Sequence, residues 1–152
     1  MELHKAGYIS QTVIYIRNKD YERAYSFAKE FAERFPDEMV AHYLLSASAF
    51  WAKKYEEAAL EGRKAFNKAS DYEDMLPCAI VTASSYYELK QYDKGFEFLQ
   101  TVEKTKTNEN LEKLMVLFSL ARNDAKEAAA HLNELYKLNQ EAAEELALRY
   151  LK

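Results

Sequence analysis

The residues of this chain best equipped for chemistry are three histidines and one cysteine. His4, His42 and His131 fall in separate segments, and none reads as having a cysteine or carboxylate at a metal-ligand spacing around it. Cys78 and His42 lie on different segments that neighbour one another in the repeat described below. A thiol–imidazole pair there would supply a nucleophile with its base; the other reading of a single cysteine is a small packing residue. Ser46-Ala47-Ser48 and Ser84-Ser85 serve as small residues for close helix approach before they serve as nucleophiles. No glycine-rich phosphate loop is present. The expectation is therefore a non-enzyme, with no catalytic, cofactor-binding or metal residues and no cofactor.

The elements that carry these residues read as helices. A chain of 152 residues is one domain's worth, and only 3 glycines and 2 prolines interrupt it. Alanine, leucine, lysine and glutamate dominate, and all favour helix. The net charge of −4 gives no electrostatic reason to bind phosphate backbones, so no nucleic-acid partner is expected. One cysteine permits no intrachain disulfide and fits a reducing compartment. The start MELHKAGYIS lacks a basic segment followed by an apolar run. No apolar stretch approaches the ~18 residues of a membrane span. These features predict a cytoplasmic protein.

The chain also repeats itself. DYERAYSFAKEFA, KYEEAALEGRKAF and QYDKGFEFLQTVE share a tyrosine, Tyr21, Tyr55 and Tyr92, with Ala125 in that place a fourth time. Three residues on stand Ala24, Ala58, Gly95 and Ala128; seven further on stand Phe31, Ala65, Val102 and Leu135. The spacings are 34, 37 and 33 residues, a period typical of stacked repeats. The small residue lets two helices cross closely. Each of these segments follows a different one, at 6–16, 39–52, 75–88 and 111–121. Short joints follow each of these (Arg17-Asn18-Lys19-Asp20, Lys53-Lys54, Leu89-Lys90-Gln91, Arg122-Asn123-Asp124) and make antiparallel helix pairs. Here the first helix of each pair is called inner and the second outer. Phe35-Pro36-Asp37 and Ser70-Asp71 end the first two pairs. Pro77 is expected in the first turn of its helix, and the three-residue excess before it in a loop, Asp71–Met75.

These residues resemble the tetratricopeptide repeat family over about residues 5–138. Ala24, Ala58 and Ala128 match the family's second-helix alanine, with Gly95 as a variant. Pro36 matches its proline, and Tyr21, Tyr55 and Tyr92 its turn tyrosine. The tryptophan, leucine and glycine of the first helix appear as Tyr8, Gln11 and Thr12, then His42, Leu45 and Ser46, then Ala79, Thr82 and Ala83, so only the small position persists. The resemblance implies an all-α fold, a right-handed superhelical stack of antiparallel helix pairs (an α-solenoid). The expected single domain, 1–152, has repeats at about 5–38, 39–72, 76–108 and 109–138 and a capping helix at 140–151. In that last helix Ala143, Leu146, Ala147 and Tyr150 form an apolar stripe with Leu151 at its edge, and Glu141, Glu144, Glu145 and Arg149 face away. It reads either as a cap for the last repeat or as a helix that swings into the groove or another protomer.

In this family ligands usually lie in a concave groove lined by the inner helices. The first three inner segments carry almost no charge, whereas the outer helices hold Glu22, Arg23, Lys29, Glu30, Glu56, Glu57, Arg63 and Lys64. Helical phase assigns the groove to Ile9, Val13 and Ile16, then Tyr43, Ala47 and Phe50, then Ile80, Ser84 and Tyr87. An apolar surface of that extent marks a binding site for an amphipathic helix or apolar peptide of another protein, as in an adaptor, scaffold or chaperone. The alternative reading of the same residues is core. Some family members grip a chaperone's C-terminal carboxylate with basic residues and asparagine. None of the nine positions is of those types, and Arg17 and Lys113 do not make that clamp. Trp51 reads as either repeat-edge core or groove rim. The alternative function is a self-associating structural protein, a homodimer whose groove or last inner helix (Leu114, Leu117, Phe118) is filled by a second copy.

Overall fold

The computed structural model describes residues 4–104 and 106–150, with Tyr150 described by its backbone alone. Among the described residues all regular structure is α-helical, in nine helices: α1 (Lys5–Arg17), α2 (Tyr21–Arg34), α3 (Met39–Trp51), α4 (Tyr55–Lys68), α5 (Tyr72–Glu88), α6 (Tyr92–Glu103), α7 (Glu109–Ala121), α8 (Ala125–Leu138) and α9 (Gln140–Tyr150). The four outer helices α2, α4, α6 and α8 begin at the repeat positions Tyr21, Tyr55, Tyr92 and Ala125. The all-α helical-repeat fold expected from the sequence is the one observed among the described residues.

The chain divides into two compact units, Met1–Leu89 and Lys90–Lys152. In the first, consecutive helices pack on one another from α1 to α5, and the inner helices α1, α3 and α5 also touch in series. In the second, α6 packs on α7, α7 on α8 and α8 on α9.

The joints between inner and outer helices share one backbone device. Lys19, Lys53, Lys90 and Asn123 hold φ values of 60°, 64°, 59° and 58°, each two residues before the repeat tyrosine or its equivalent. In three of them the next amide donates back to a carbonyl of the preceding helix: Asp20 to the Tyr15 carbonyl at 2.8 Å, Lys54 to Ala49 at 2.7 Å and Asp124 to Ser119 at 2.8 Å. This is the Schellman helix stop, which normally recruits glycine because a Cβ in the left-handed region is strained. Aspartate side chains then cap the outer helices at Asp20, accepting from Arg23, and at Asp124, accepting from Glu127.

One boundary differs from the sequence reading. The excess residues before Pro77 are not a loop but an extra helical turn of α5, opened by Asp71, whose carboxylate accepts from the Asp74 amide at 2.9 Å. Pro77 therefore lies inside the helix and not in its first turn. Lacking an N–H, it leaves the Glu73 carbonyl without its helical donor.

The cores explain the small residues. In the first unit Tyr8, Ala28, Phe31, Ala32, Ala41, Leu44 and Leu45 form one buried cluster, with the Tyr8 and Phe31 rings stacked at 5.3 Å. Thr12, Ser46 and Ala83, the small positions of the three inner helices, are wholly buried. A Cβ on Gly62 of α4 would come within 2.3 Å of Thr82 Oγ1 on α5 and 2.9 Å of Ser46 Oγ on α3. In the second unit a Cβ on Gly95 would meet the Phe118 ring at 2.3 Å. The repeat's alanine is therefore glycine here because Phe118 fills the alanine's space. Phe118 is fully buried, so it does not belong to an exposed face of α7; Leu114 and Leu117 are half-buried. Helix α9 buries Ala142, Ala143 and Leu146 against Val116 and Leu135, with Glu141, Glu144, Glu145 and Arg149 exposed. The Tyr150 side chain and Leu151 lie outside the described residues.

Candidate functional site

The inner helices of the first unit turn two kinds of residue in different directions. Tyr8 and Thr12 on α1, His42, Leu45, Ser46 and Ala49 on α3, and Ala79, Thr82, Ala83 and Tyr86 on α5 are buried. The nine groove positions lie on the more open side. Ile9, Ile16, Tyr43, Ala47, Phe50, Ile80, Ser84 and Tyr87 are half-buried, and Val13 is exposed. None of the nine is sealed in the interior. A cleft of about 350 Å³ brings five of them together: Tyr43, Ala47 and Phe50 from α3 with Ile80 and Ser84 from α5, joined by Trp51, Pro77 and Val81. Among the described residues no charged side chain lines it. Ile9 packs at the edge of the Tyr8–Phe31 core cluster. Ile9, Val13, Ile16 and Tyr87 do not line the cleft.

Trp51 forms the rim of this cleft. It is 52% exposed, stacks on Tyr21 at 5.7 Å and meets Phe50 edge-on at 5.6 Å. Phe50 in turn sits edge-on to Tyr55, the repeat tyrosine of α4, at 5.4 Å. The aromatic chain Tyr21–Trp51–Phe50–Tyr55 fixes the rim from both outer helices. Burial raises the Tyr43 phenol above its ordinary ionisation range, helped by nearby Cys78.

His42, Cys78, Ser46 and Ser85 are engaged elsewhere, and Ser48 Oγ is buried without a hydrogen-bond partner. His42 and Cys78 do not pair. His42 Nδ1 lies 2.6 Å from Glu61 Oε2 and its Nε2 lies 2.6 Å from the Pro36 carbonyl. The Cys78 thiol donates to the Asp74 carbonyl at 3.3 Å, and burial, then the charge of Asp74, pushes it up to about 11, far from a thiolate at neutral pH. Ser46 donates to the Ala58 carbonyl at 2.6 Å and Ser85 to the Val81 carbonyl at 2.7 Å.

A second cluster, in the other unit, escaped the sequence reading. His131 of α8 has Glu112 Oε2 of α7 at 2.8 Å and Glu103 Oε1 of α6 at 3.7 Å from its Nδ1, and Glu127 Oε2 at 3.5 Å from its Nε2. One signal was local: Glu127 stands one helical turn before His131, on the same face. The other two carboxylates arrive from different helices and have no short spacing to read.

Comparison with known proteins bears on the fold. No family model matches the sequence, and no curated protein does. Among solved structures, the MamA RS-1 ArsTM double mutant matches with a TM-score of 0.77 at 14% identity, over 90% of this chain and 76% of that one. TTC0263, described as a thermophilic TPR protein in Thermus thermophilus, matches with a TM-score of 0.49 at 13% identity, over 98% of this chain and all of that one. MamA is a TPR-type protein. The likeness at 0.77 shows that this chain has the tetratricopeptide-type fold, an all-α helical repeat.

Proposed function

We propose that this chain is a non-enzymatic protein-interaction module whose open inner face, Ile9, Val13, Ile16, Tyr43, Ala47, Phe50, Ile80, Ser84 and Tyr87, receives an amphipathic helix or apolar segment of another protein. The observation that carries the reading is the uncharged cleft between α3 and α5, with an exposed tryptophan at its rim. Apolar side chains left half-open to water gain free energy when a partner covers them, at roughly 25 cal/mol per Å². A ligand bearing a free carboxylate fits poorly, because no lining cation would replace the water it loses. Tryptophan and tyrosine at such a rim are the residue types that dominate binding energy at interfaces.

The experiment is affinity capture from the native cell extract with wild type and with Phe50→Glu. The reading expects a partner retained by wild type and lost by the variant, at unchanged helix content. Equal retention by both folded proteins would overturn it.

A second reading, self-association, has one observation in its favour. An apolar cleft of about 390 Å³ in the second unit is lined by Val116, Leu120, Ala125, Ala128, Ala129, Leu132, Leu146 and Ala147. Sedimentation at two concentrations decides it: a mass that rises with concentration supports a homodimer, and a strict monomer removes it.

A further inference from the structure

The repeat places two histidine–glutamate pairs at equivalent positions, and they are not equivalent in chemistry. His42 and Glu61 occupy the same repeat places as Glu112 and His131, with the two residue types exchanged. In the first unit the His42 ring is complete, with one nitrogen on Glu61 and the other on the Pro36 carbonyl. In the second unit three carboxylates converge on one imidazole. The Glu112 side chain is only 3% exposed, and its other oxygen accepts from the Thr107 hydroxyl at 2.6 Å. Glu103 Oε1 is buried without a hydrogen-bond partner. A buried acid oxygen with no donor is costly when the acid ionises, and a cation beside it would offset that charge.

We propose that Glu103, Glu112 and His131 form a binding site for one divalent transition-metal cation, zinc or a similar ion, held between α6, α7 and α8. One donor atom from each residue, His131 Nδ1 and a carboxylate oxygen from each glutamate, lies within 4.8 Å of the other two. Metal–nitrogen and metal–oxygen bonds of ~2.1 Å place such donors roughly 3.0–3.5 Å apart. The Nδ1–Glu112 distance of 2.8 Å therefore opens slightly and the Nδ1–Glu103 distance of 3.7 Å closes slightly. One imidazole with two carboxylates suits zinc, manganese or iron(II) and leaves coordination positions for water.

Glu127 supplies the feature that separates this cluster from an ordinary ion pair. It stands on the far ring nitrogen, Nε2, as the orienting carboxylate does behind a metal-bound histidine. The Phe96 ring packs edge-on against the imidazole at 6.2 Å and is itself buried, so the ring is fixed on its apolar side too. Arg122 adds a further charge nearby: its guanidinium covers Phe96 at 4.2 Å and pairs with Asp93 at 2.8 Å.

The test is titration of the full chain with zinc chloride by calorimetry, and with cobalt(II) chloride by visible absorption, for wild type, Glu103→Gln and Glu61→Gln. The amide preserves the shape of the protonated acid and removes one ligand. The proposal expects one zinc per wild-type chain and a cobalt spectrum, both retained by Glu61→Gln and weakened at least ten-fold in Glu103→Gln. Should Glu103→Gln lose helix content, Glu127→Gln takes its place, with binding expected to fall about ten-fold or more. Absence of stoichiometric binding by wild type, or binding undiminished in the folded variant, overturns it.

Discussion

The His42 imidazole and the Glu61 carboxylate meet at 2.6 Å across α3 and α4, both nearly excluded from water. The pair sits where the first repeat places Tyr8 against Phe27, rings edge-on at 6.5 Å. One structural position thus accepts an aromatic pair in one repeat and a polar pair in the next.

The consequence for stability is direct. His42→Ala leaves Glu61 with Lys64, at 3.1 Å, as its remaining ion-pair partner among the described residues, and takes the His42 ring from the Pro36 carbonyl. It should cost about 1–3 kcal/mol, as leaving buried hydrogen-bonding groups without their partner does. The double change His42→Tyr with Glu61→Phe transplants the first repeat's solution and should return to within about 1–2 kcal/mol of wild type. Urea unfolding followed by circular dichroism measures both. A double variant less stable than the single would show that the two sites differ in shape.

The four left-handed joint residues give a second prediction. Lys53 holds φ 64° at a helix stop, where a side chain is strained and glycine is not. Lys53→Gly should stabilise the protein by about 0.5–1 kcal/mol, after the greater backbone entropy lost by glycine is subtracted. The same change at Lys54, one residue on, should destabilise or leave stability unchanged. Midpoints of thermal unfolding separate the two.

Gly95 gives the opposite case. Gly95→Ala restores the repeat's usual residue and raises helix propensity, yet drives a methyl into the Phe118 ring at 2.3 Å. The steric term should dominate and cost about 1–3 kcal/mol. Phe118→Leu in the same chain should recover part of that loss, which a double-mutant cycle in urea reads as a coupling energy.

Much of the fold was legible because repetition turns weak local signals into strong ones. Tyr21, Tyr55 and Tyr92 mark the first residue of three of the four outer helices because the joint before them has a fixed length. The small positions Thr12, Ser46 and Ala83 could be placed because helices cross only where side chains are short. The extra turn of α5 was not legible: Asp71 is a good helix cap, but Pro77 argued against a helix running from Tyr72. The joint lysines concealed the left-handed turns, since no glycine announced them. Phe118 was misread because periodicity places a residue on a face and does not say what covers that face; the neighbour was Gly95. The Glu103, Glu112 and His131 cluster joins three helices through separations that no motif encodes.

The acid–base balance of that cluster predicts a pH dependence in the metal-free protein. Burial, then Glu112, raises the Glu103 carboxyl from 4.5 to about 8. The folded state therefore holds a proton that the unfolded chain releases, and its contribution is full below 4.5 and lost as pH rises through about 8. For His131 burial works against charge, but the bond to Glu112 and the charges of Glu103, Glu112 and Glu127 prevail and raise it, so its contribution also fades toward high pH. Burial would raise Glu112, yet the bonds from His131, Glu103 and Thr107 lower it, so its contribution is lost only as pH falls. In chelator, Glu103→Gln should gain thermal stability relative to wild type between about pH 5 and pH 8. Parallel melting curves across that range would remove Glu103 from the balance.

The central claim is that the uncharged side of α1, α3 and α5 is surface and not interior. Equilibrium unfolding of Phe50→Glu and Tyr87→Lys in urea, followed by circular dichroism, tests it most directly. The account predicts native helix content and a loss of stability within about 1–2 kcal/mol for each, since both side chains can turn their charge to water. Loss of cooperative unfolding, or a cost beyond about 4 kcal/mol in both, is the signature of a charge forced into a core and would contradict it.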